Sequence, residues 1–80
     1  MDITEYEYYA QDRILRNINR EIQIRGIKQE VLAEMIGIRQ NHLSEKLNGK
    51  NGLKVAFVIR ICHALEIPLT DVFVIPTAKS

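Results

Sequence analysis

The sequence predicts an all-α protein, a compact bundle of about five short helices. Three observations carry this. Apolar residues recur at three- and four-residue intervals in successive segments. All four glycines lie between residues 26 and 52, which places the tight turns in the middle of the chain, and three of them (Gly26, Gly37 and Gly49) stand at the ends of such segments, where helices commonly stop on a left-handed residue. Apolar–polar alternation is confined to one short run, "TEYEY", and no confident strand emerges.

In the first segment Ile14, Ile18 and Ile22 repeat every four residues, and Leu15 widens the stripe. This predicts an amphipathic helix ending at Gly26. Its start is open. Thr4 with Glu7 fits a capping box that begins the helix near Glu5. The alternation of "TEYEY" fits a short strand equally well. The reading adopted is a helix from about Tyr9. In "QEVLAEMIG", Val31, Leu32, Met35 and Ile36 form the expected apolar stripe, and Gly37 closes a helix of roughly two turns. Ile38 and Arg39 separate it from a third helix, Gln40 to about Leu47, which stops on Asn48-Gly49. Residues 50–54 read as a loop. The fourth helix, within "VAFVIRICHALEI", places Phe57, Val58, Ile61, Cys62 and Leu65 on one face, with Val55 and Ile59 extending it sideways. Pro68 is expected to end it. One further turn runs from about Leu69 to Phe73, and the tail is expected to be extended or disordered.

The chain has 80 residues and a formal net charge of +1, so one domain with a small core is expected. The charge is unevenly spread. Residues 1–12 carry Asp2, Glu5, Glu7 and Asp12 with no Lys or Arg, a formal −4, and the rest sums to +5. The expected organisation is an acidic, tyrosine-rich extension over 1–12, the domain over 13–75 and a tail over 76–80. A mildly basic body is compatible with a polyanion partner. The single cysteine, Cys62, excludes an internal disulfide framework and points to a reducing, cytoplasmic setting. No apolar run approaches the roughly 18 residues of a membrane span. Cys62 reads as a small core residue, and His63 as a surface or interface residue. With His42 they make no metal site, since adjacent residues point apart on a helix and a fourth ligand is missing. No phosphate-cradling loop, nucleophile–base pair or paired carboxylates appear. Neither enzyme nor cofactor nor small-molecule substrate is expected.

Two short helices joined by a tight turn, Gln29–Ile36 and Gln40–Leu47, have a helix-turn-helix layout. Ala33 suits a close helix crossing, Gly37 a positive φ at the turn, and Ile38 an apolar plug beneath it. Leu43 and Leu47 anchor the second helix and leave its outer face free.

The run "KQEVLAEMIGIRQNHLSEKLNGK", followed by "VIRICHALEIPLTDVF", resembles the Cro/C1-type (XRE, lambda-repressor-like) helix-turn-helix family. The matching features are Gln29, Leu32-Ala33, Gly37, Ile38, Leu43-Ser44, Asn48-Gly49-Lys50, Ala64-Leu65 and Leu69…Val72-Phe73. The resemblance covers roughly residues 14–73. It implies a five-helix bundle that lays the second helix of the motif in the DNA major groove. It further implies that Gln29 bonds a phosphate, that Gln40, Asn41, His42 and Glu45 face base edges, that Lys50 touches the backbone, and that Ser44 sits between the two helices. Arg39, Lys46, Lys54 and Ile22 depart from the family pattern. Arg39 and Lys54 replace capping residues, but each can reach a phosphate, as can Lys46.

These side chains suit the task. Gln and Asn carry an acceptor beside a donor, matching the N7 and N6 edge of adenine, and Glu45 can accept from cytosine N4. His42 donates or accepts and makes pH-sensitive binding an expectation. The cations set affinity and salt dependence. Val72, Phe73, Val74 and Ile75 are more apolar than a monomer's end requires and are the expected surface of a homodimer, with the tyrosines Tyr6, Tyr8 and Tyr9 as further contributors. A two-fold dimer spaces its recognition helices about 34 Å apart on a palindromic operator. The sequence thus reads as a transcriptional regulator, a prokaryotic or phage repressor binding double-stranded operator DNA. The alternative is an antitoxin or adaptor that uses the same fold to hold a partner protein.

Overall fold

The structure, a computed structural model, describes residues 1–75. The expected tail over 76–80 lies outside the described residues. Five helices follow one another: α1 (Ile3–Arg25), α2 (Gln29–Ile36), α3 (Gln40–Leu47), α4 (Val55–Leu65) and α5 (Leu69–Val72). No strand occurs among the described residues.

The first helix starts six residues before the expected Tyr9. Asp2 is the reason. Its backbone is extended, and its Oδ1 accepts the Glu5 amide at 2.8 Å, which nucleates the first turn. Thr4 and Glu7 therefore lie inside the helix, and neither the Thr4 cap nor the strand is realised. Residues 1–8 are nonetheless exposed, and burial begins in earnest at Ile14. The Ile14–Ile18–Ile22 stripe then enters the core, joined by Asn17.

Four helices end in the same way. A left-handed residue stands just past the helix (at α3 one residue later, after Asn48 at φ −87°), and two amides fold back onto the last carbonyls. Gly26, Gly37 and Gly49 do this with φ between +65° and +80°. Glu66 does it at the end of α4, with φ +55°. Helix α4 thus stops at Leu65 through Glu66 and not through Pro68, which stands as the N-cap of α5. The last turn closes at Val72, one residue short of Phe73.

Leu32, Leu43, Val58, Ile61 and Val72 are wholly buried with Ile18 at the centre of the core. Phe57, Cys62, Leu65 and Ile67 complete it. The expected stripe of α2 is corrected in part. Leu32, Ala33 and Ile36 are buried, but Val31 and Met35 are about half exposed (47% and 50%). An eight-residue helix offers one face to the core, and positions 31 and 35 lie about 100° round from 32 and 36. Val55 and Ile59 are likewise exposed on the flank of α4.

Helix α1 grips the loop between α3 and α4 at three points. Asn19 Nδ2 donates to the Leu47 carbonyl at 3.2 Å. Leu15 packs so closely on Gly49 that a Cβ there would meet its Cδ1 at 3.0 Å. Gln11 Oε1 accepts the Leu53 amide at 3.2 Å.

Candidate nucleic-acid interface

The second helix of the motif is held from beneath and open above. Leu43 and Leu47 of α3 are buried, and Ala33 of α2 is 3% exposed where the helices cross. Gly37 turns the chain at φ +74°, and its neighbour Ile38 packs half-buried against the core. Arg39 then enters α3 as an extended N-cap with no side-chain capping bond. Its side chain remains directed by solvent and not by the helix end.

Gln40, Asn41 and His42 are exposed, and none has a side-chain hydrogen bond among the described residues. Three polar groups thus stand on the first turn of a rigidly seated helix with their bonding capacity unspent. Ser44 is half-buried, as expected for a small residue between helices.

Glu45 differs from its three neighbours. Its Oε2 accepts from Lys50 Nζ at 3.0 Å, and this bond, together with the Lys50 charge, holds its carboxyl below the usual carboxylate range. Lys46 instead places its ammonium 5.5 Å from the centre of the Phe57 ring, a cation–π position. His42, Glu45, Lys46, Lys50 and Lys54 line one open groove floored by Phe57, with Asn51 and Gly52 at its rim. Lys54 is the uncapped N-cap of α4. Gln29 opens α2, half-buried and away from that groove. The structure therefore gathers five of the nine predicted contact residues in one groove. It leaves Gln40 and Asn41 on the adjoining helical face and Gln29 and Arg39 at helix starts.

Two further features escaped the sequence reading. Lys28 is the N-cap of α2. Cations thus occupy the N-caps of α2, α3 and α4 alike, Lys28 joining Arg39 and Lys54. The grip of Gln11, Leu15 and Asn19 on the loop bearing Lys50 and Lys54 was also missed. Its one sequence signal is their spacing at i, i+4 and i+8 along the flank of the isoleucine stripe.

At the other end, Phe73 (37% exposed) and Val74 (59%) project outward and Ile75 is half-buried against the core. Val72 corrects the expected dimer surface, since its side chain is wholly buried within one chain. Leu69 and Ile59, also exposed, border an open groove with His63 and Glu66, and Val74 lines a separate one with Arg13, Arg20, Glu21 and Asp71. Cys62 is buried, and burial, with the Glu21 charge, pushes its thiol up, away from the reactive thiolate. Among the described residues no three His, Cys, Asp or Glu side chains gather to hold a metal, and no helix is long and apolar enough to cross a membrane.

A protein-family model described as helix-turn-helix matches residues 18–72. Neither a curated protein nor a solved structure matches the chain.

Proposed function

The chain belongs to the Cro/C1-type (XRE) helix-turn-helix family and is a DNA-binding regulator; from that premise we propose that it is a transcriptional repressor that binds a palindromic operator as a homodimer. The observation that carries the reading is the outer face of α3. Gln40, Asn41 and His42 are exposed and unpaired on a helix whose other side is locked into the core.

In this reading α3 enters the major groove, and Gln40 and Asn41 read adenine edges bidentately. His42 lies one residue further along. Glu45 accepts from cytosine N4 only by sharing or releasing Lys50, so its base contact competes with an existing ion pair. Gln29, Arg39, Lys46, Lys50 and Lys54 contact phosphates, fix the register and supply the salt dependence. The second copy docks through Phe73, Val74 and Ile75, extended by the exposed Leu69 and Ile59. Two copies double the DNA contact that one 80-residue chain can offer.

The test is a fluorescence-anisotropy titration against a randomised duplex pool at two salt concentrations, with bound sequences recovered. The expected result is enrichment of palindromic sites and binding that weakens steeply with salt. Gln40→Ala should then lose preference at one base position per half-site, by about 1–3 kcal/mol. A folded protein with no affinity for DNA at low salt would sink the reading. A tight complex with a partner protein, unchanged by Gln40→Ala, would favour the adaptor alternative, for which α1's exposed first two turns are the available surface.

A further inference from the structure

We infer that Gln11, Leu15 and Asn19 form a positioning stripe that sets the α3–α4 loop, and with it Lys50 and Lys54, at the height needed to meet DNA phosphates. The inference rests on the DNA-binding reading above and adds three residues to it, none of which faces DNA through α3.

The loop from Asn48 to Lys54 has little of its own to hold it. Gly49, Asn51 and Gly52 all have positive φ, and Asn48, Lys50, Asn51, Gly52 and Lys54 are exposed. Within the loop, Gly52 N–H donates to the Gly49 carbonyl at 3.1 Å. Among its attachments to other elements are those to α1, and these are regularly spaced. Residues 11, 15 and 19 are four apart and share one face of that helix. Asn19 Nδ2 bridges its own Leu15 carbonyl (2.9 Å) and the Leu47 carbonyl (3.2 Å), which closes α3. Leu15 meets Gly49, where the φ of +80° favours glycine and a Cβ would stand 3.0 Å from the leucine Cδ1. Gln11 Oε1 takes the Leu53 amide, one residue before Lys54.

The consequence for binding is geometric. Lys50 and Lys54 are long, flexible cations, and what their contacts to phosphate need is a fixed root. The Lys50 amide is already bonded to the Glu45 carbonyl of α3 at 3.0 Å, and the three-point grip braces the rest of the loop from a helix that is itself anchored by Ile14, Ile18 and Ile22. The stripe is a specificity-neutral element. Its Gln11 end acts on the phosphate contacts alone, since the base-reading face of α3 is seated by the buried Leu43 and Leu47 and touched by the stripe only through Asn19.

The test compares wild type, Gln11→Met, which keeps the bulk but removes the acceptor, and Gln11→Glu, which keeps an acceptor. Two quantities are read: exchange of the Leu53 amide by NMR without DNA, and the salt dependence of anisotropy-measured DNA affinity. In Gln11→Met the Leu53 amide should exchange about fivefold faster, the effect of losing a hydrogen bond of ordinary net strength. The slope of log affinity against log salt should become shallower by about 0.9 to 1.8, one or two phosphates, with the ratio between the best site and a mismatched site unchanged. Gln11→Glu should restore Leu53 protection, while its added negative charge keeps it out of the slope comparison. Unchanged Leu53 exchange in Gln11→Met overturns the grip itself. Unchanged slope, in a protein whose wild type binds DNA, overturns the positioning role. Wild-type protein that shows Leu53 protection yet does not bind DNA would refute the DNA reading and this role together, leaving only a structural clamp.

Discussion

Asn17 shows how one residue ties the two ends of this chain. It is 3% exposed, and its Nδ2 donates to the carbonyls of Val72 (2.8 Å) and Val74 (3.1 Å). A buried amide is tolerable only when so paired, and both carbonyls lose their partner if it goes. Asn17→Ala should cost about 1–3 kcal/mol in urea denaturation, and a wild-type midpoint would show the bonds to be incidental. Nothing in the sequence marked Asn17, because its partners are backbone groups more than fifty residues away. Glu45 makes a different residue-scale prediction. Its folded carboxyl titrates below its unfolded value, held there by Lys50. The pair's contribution is therefore present above the unfolded carboxylate range, near pH 4.3, and fades as pH falls through the lower folded value. At pH 7 the pair is intact, and Lys50 is partly neutralised. Glu45→Gln should then strengthen binding to a non-specific duplex and steepen its salt slope by up to about 0.9, one freed phosphate contact. An unaltered slope would place Lys50 outside the DNA contact.

At the scale of the helix, the ends of α2, α3 and α4 carry opposite lessons. Their N-caps are Lys28, Arg39 and Lys54, none making a side-chain capping bond. A cation there opposes the helix dipole and leaves first-turn amides uncapped, so folding alone gives no reason for three of them. Contact with a polyanion does. Lys54→Ser should therefore raise stability by about 0.5–2 kcal/mol while making the salt slope of DNA binding shallower by about 0.9. Denaturation and anisotropy on one preparation check both signs. At the C-terminal end of α4, Glu66 holds the left-handed conformation that glycine fills at the other three. Glu66→Gly should gain about 0.5–1 kcal/mol, a few degrees in Tm by calorimetry. These ends also explain what was legible. Gly26, Gly37 and Gly49 announced three helix stops because glycine's left-handed freedom is local. The stop at Leu65 was misassigned to Pro68, since Glu66 carries no such mark. The start at Ile3 was hidden because Asp2 competes with Thr4 as a cap, and only the actual bond to the Glu5 amide decides between them. The core faces of α1 and α4 followed from spacing, whereas α2 is too short for spacing to separate Leu32 and Ile36 from Val31 and Met35.

For the whole molecule, the distribution of surface decides how copies meet. The bundle is elongated, 41 × 24 × 18 Å, with the exposed, acidic start of α1 projecting from it. That start carries Glu5 and Glu7 without ion-pair partners among the described residues, so two such segments repel when laid together. The α4–α5 end also exposes two carboxylates without ion-pair partners among the described residues, Glu66 and Asp71, but sets them beside exposed apolar side chains. Ile59, Leu69, Phe73 and Val74 are all more than a third exposed, and burying them against a second copy removes apolar surface from water at about 25 cal/mol per Å². In the proposed homodimer a two-fold axis through this end pairs like with like. Val72 separates this account from a merely unstable tail. If the proposed homodimer forms here, Val74→Asp should leave a monomer in sedimentation equilibrium, keep the urea midpoint measured at low concentration, and weaken binding to a palindrome far more than to a half-site. Val72→Ala, which opens a cavity under α5, should lower stability by about 2 kcal/mol and affect association only through the loss of folded protein. If Val74→Asp remained dimeric, the apolar flank would not be the interface. The projecting first turns of α1, with Tyr6 and Tyr8 on their surface, would then be the place to introduce the next charge.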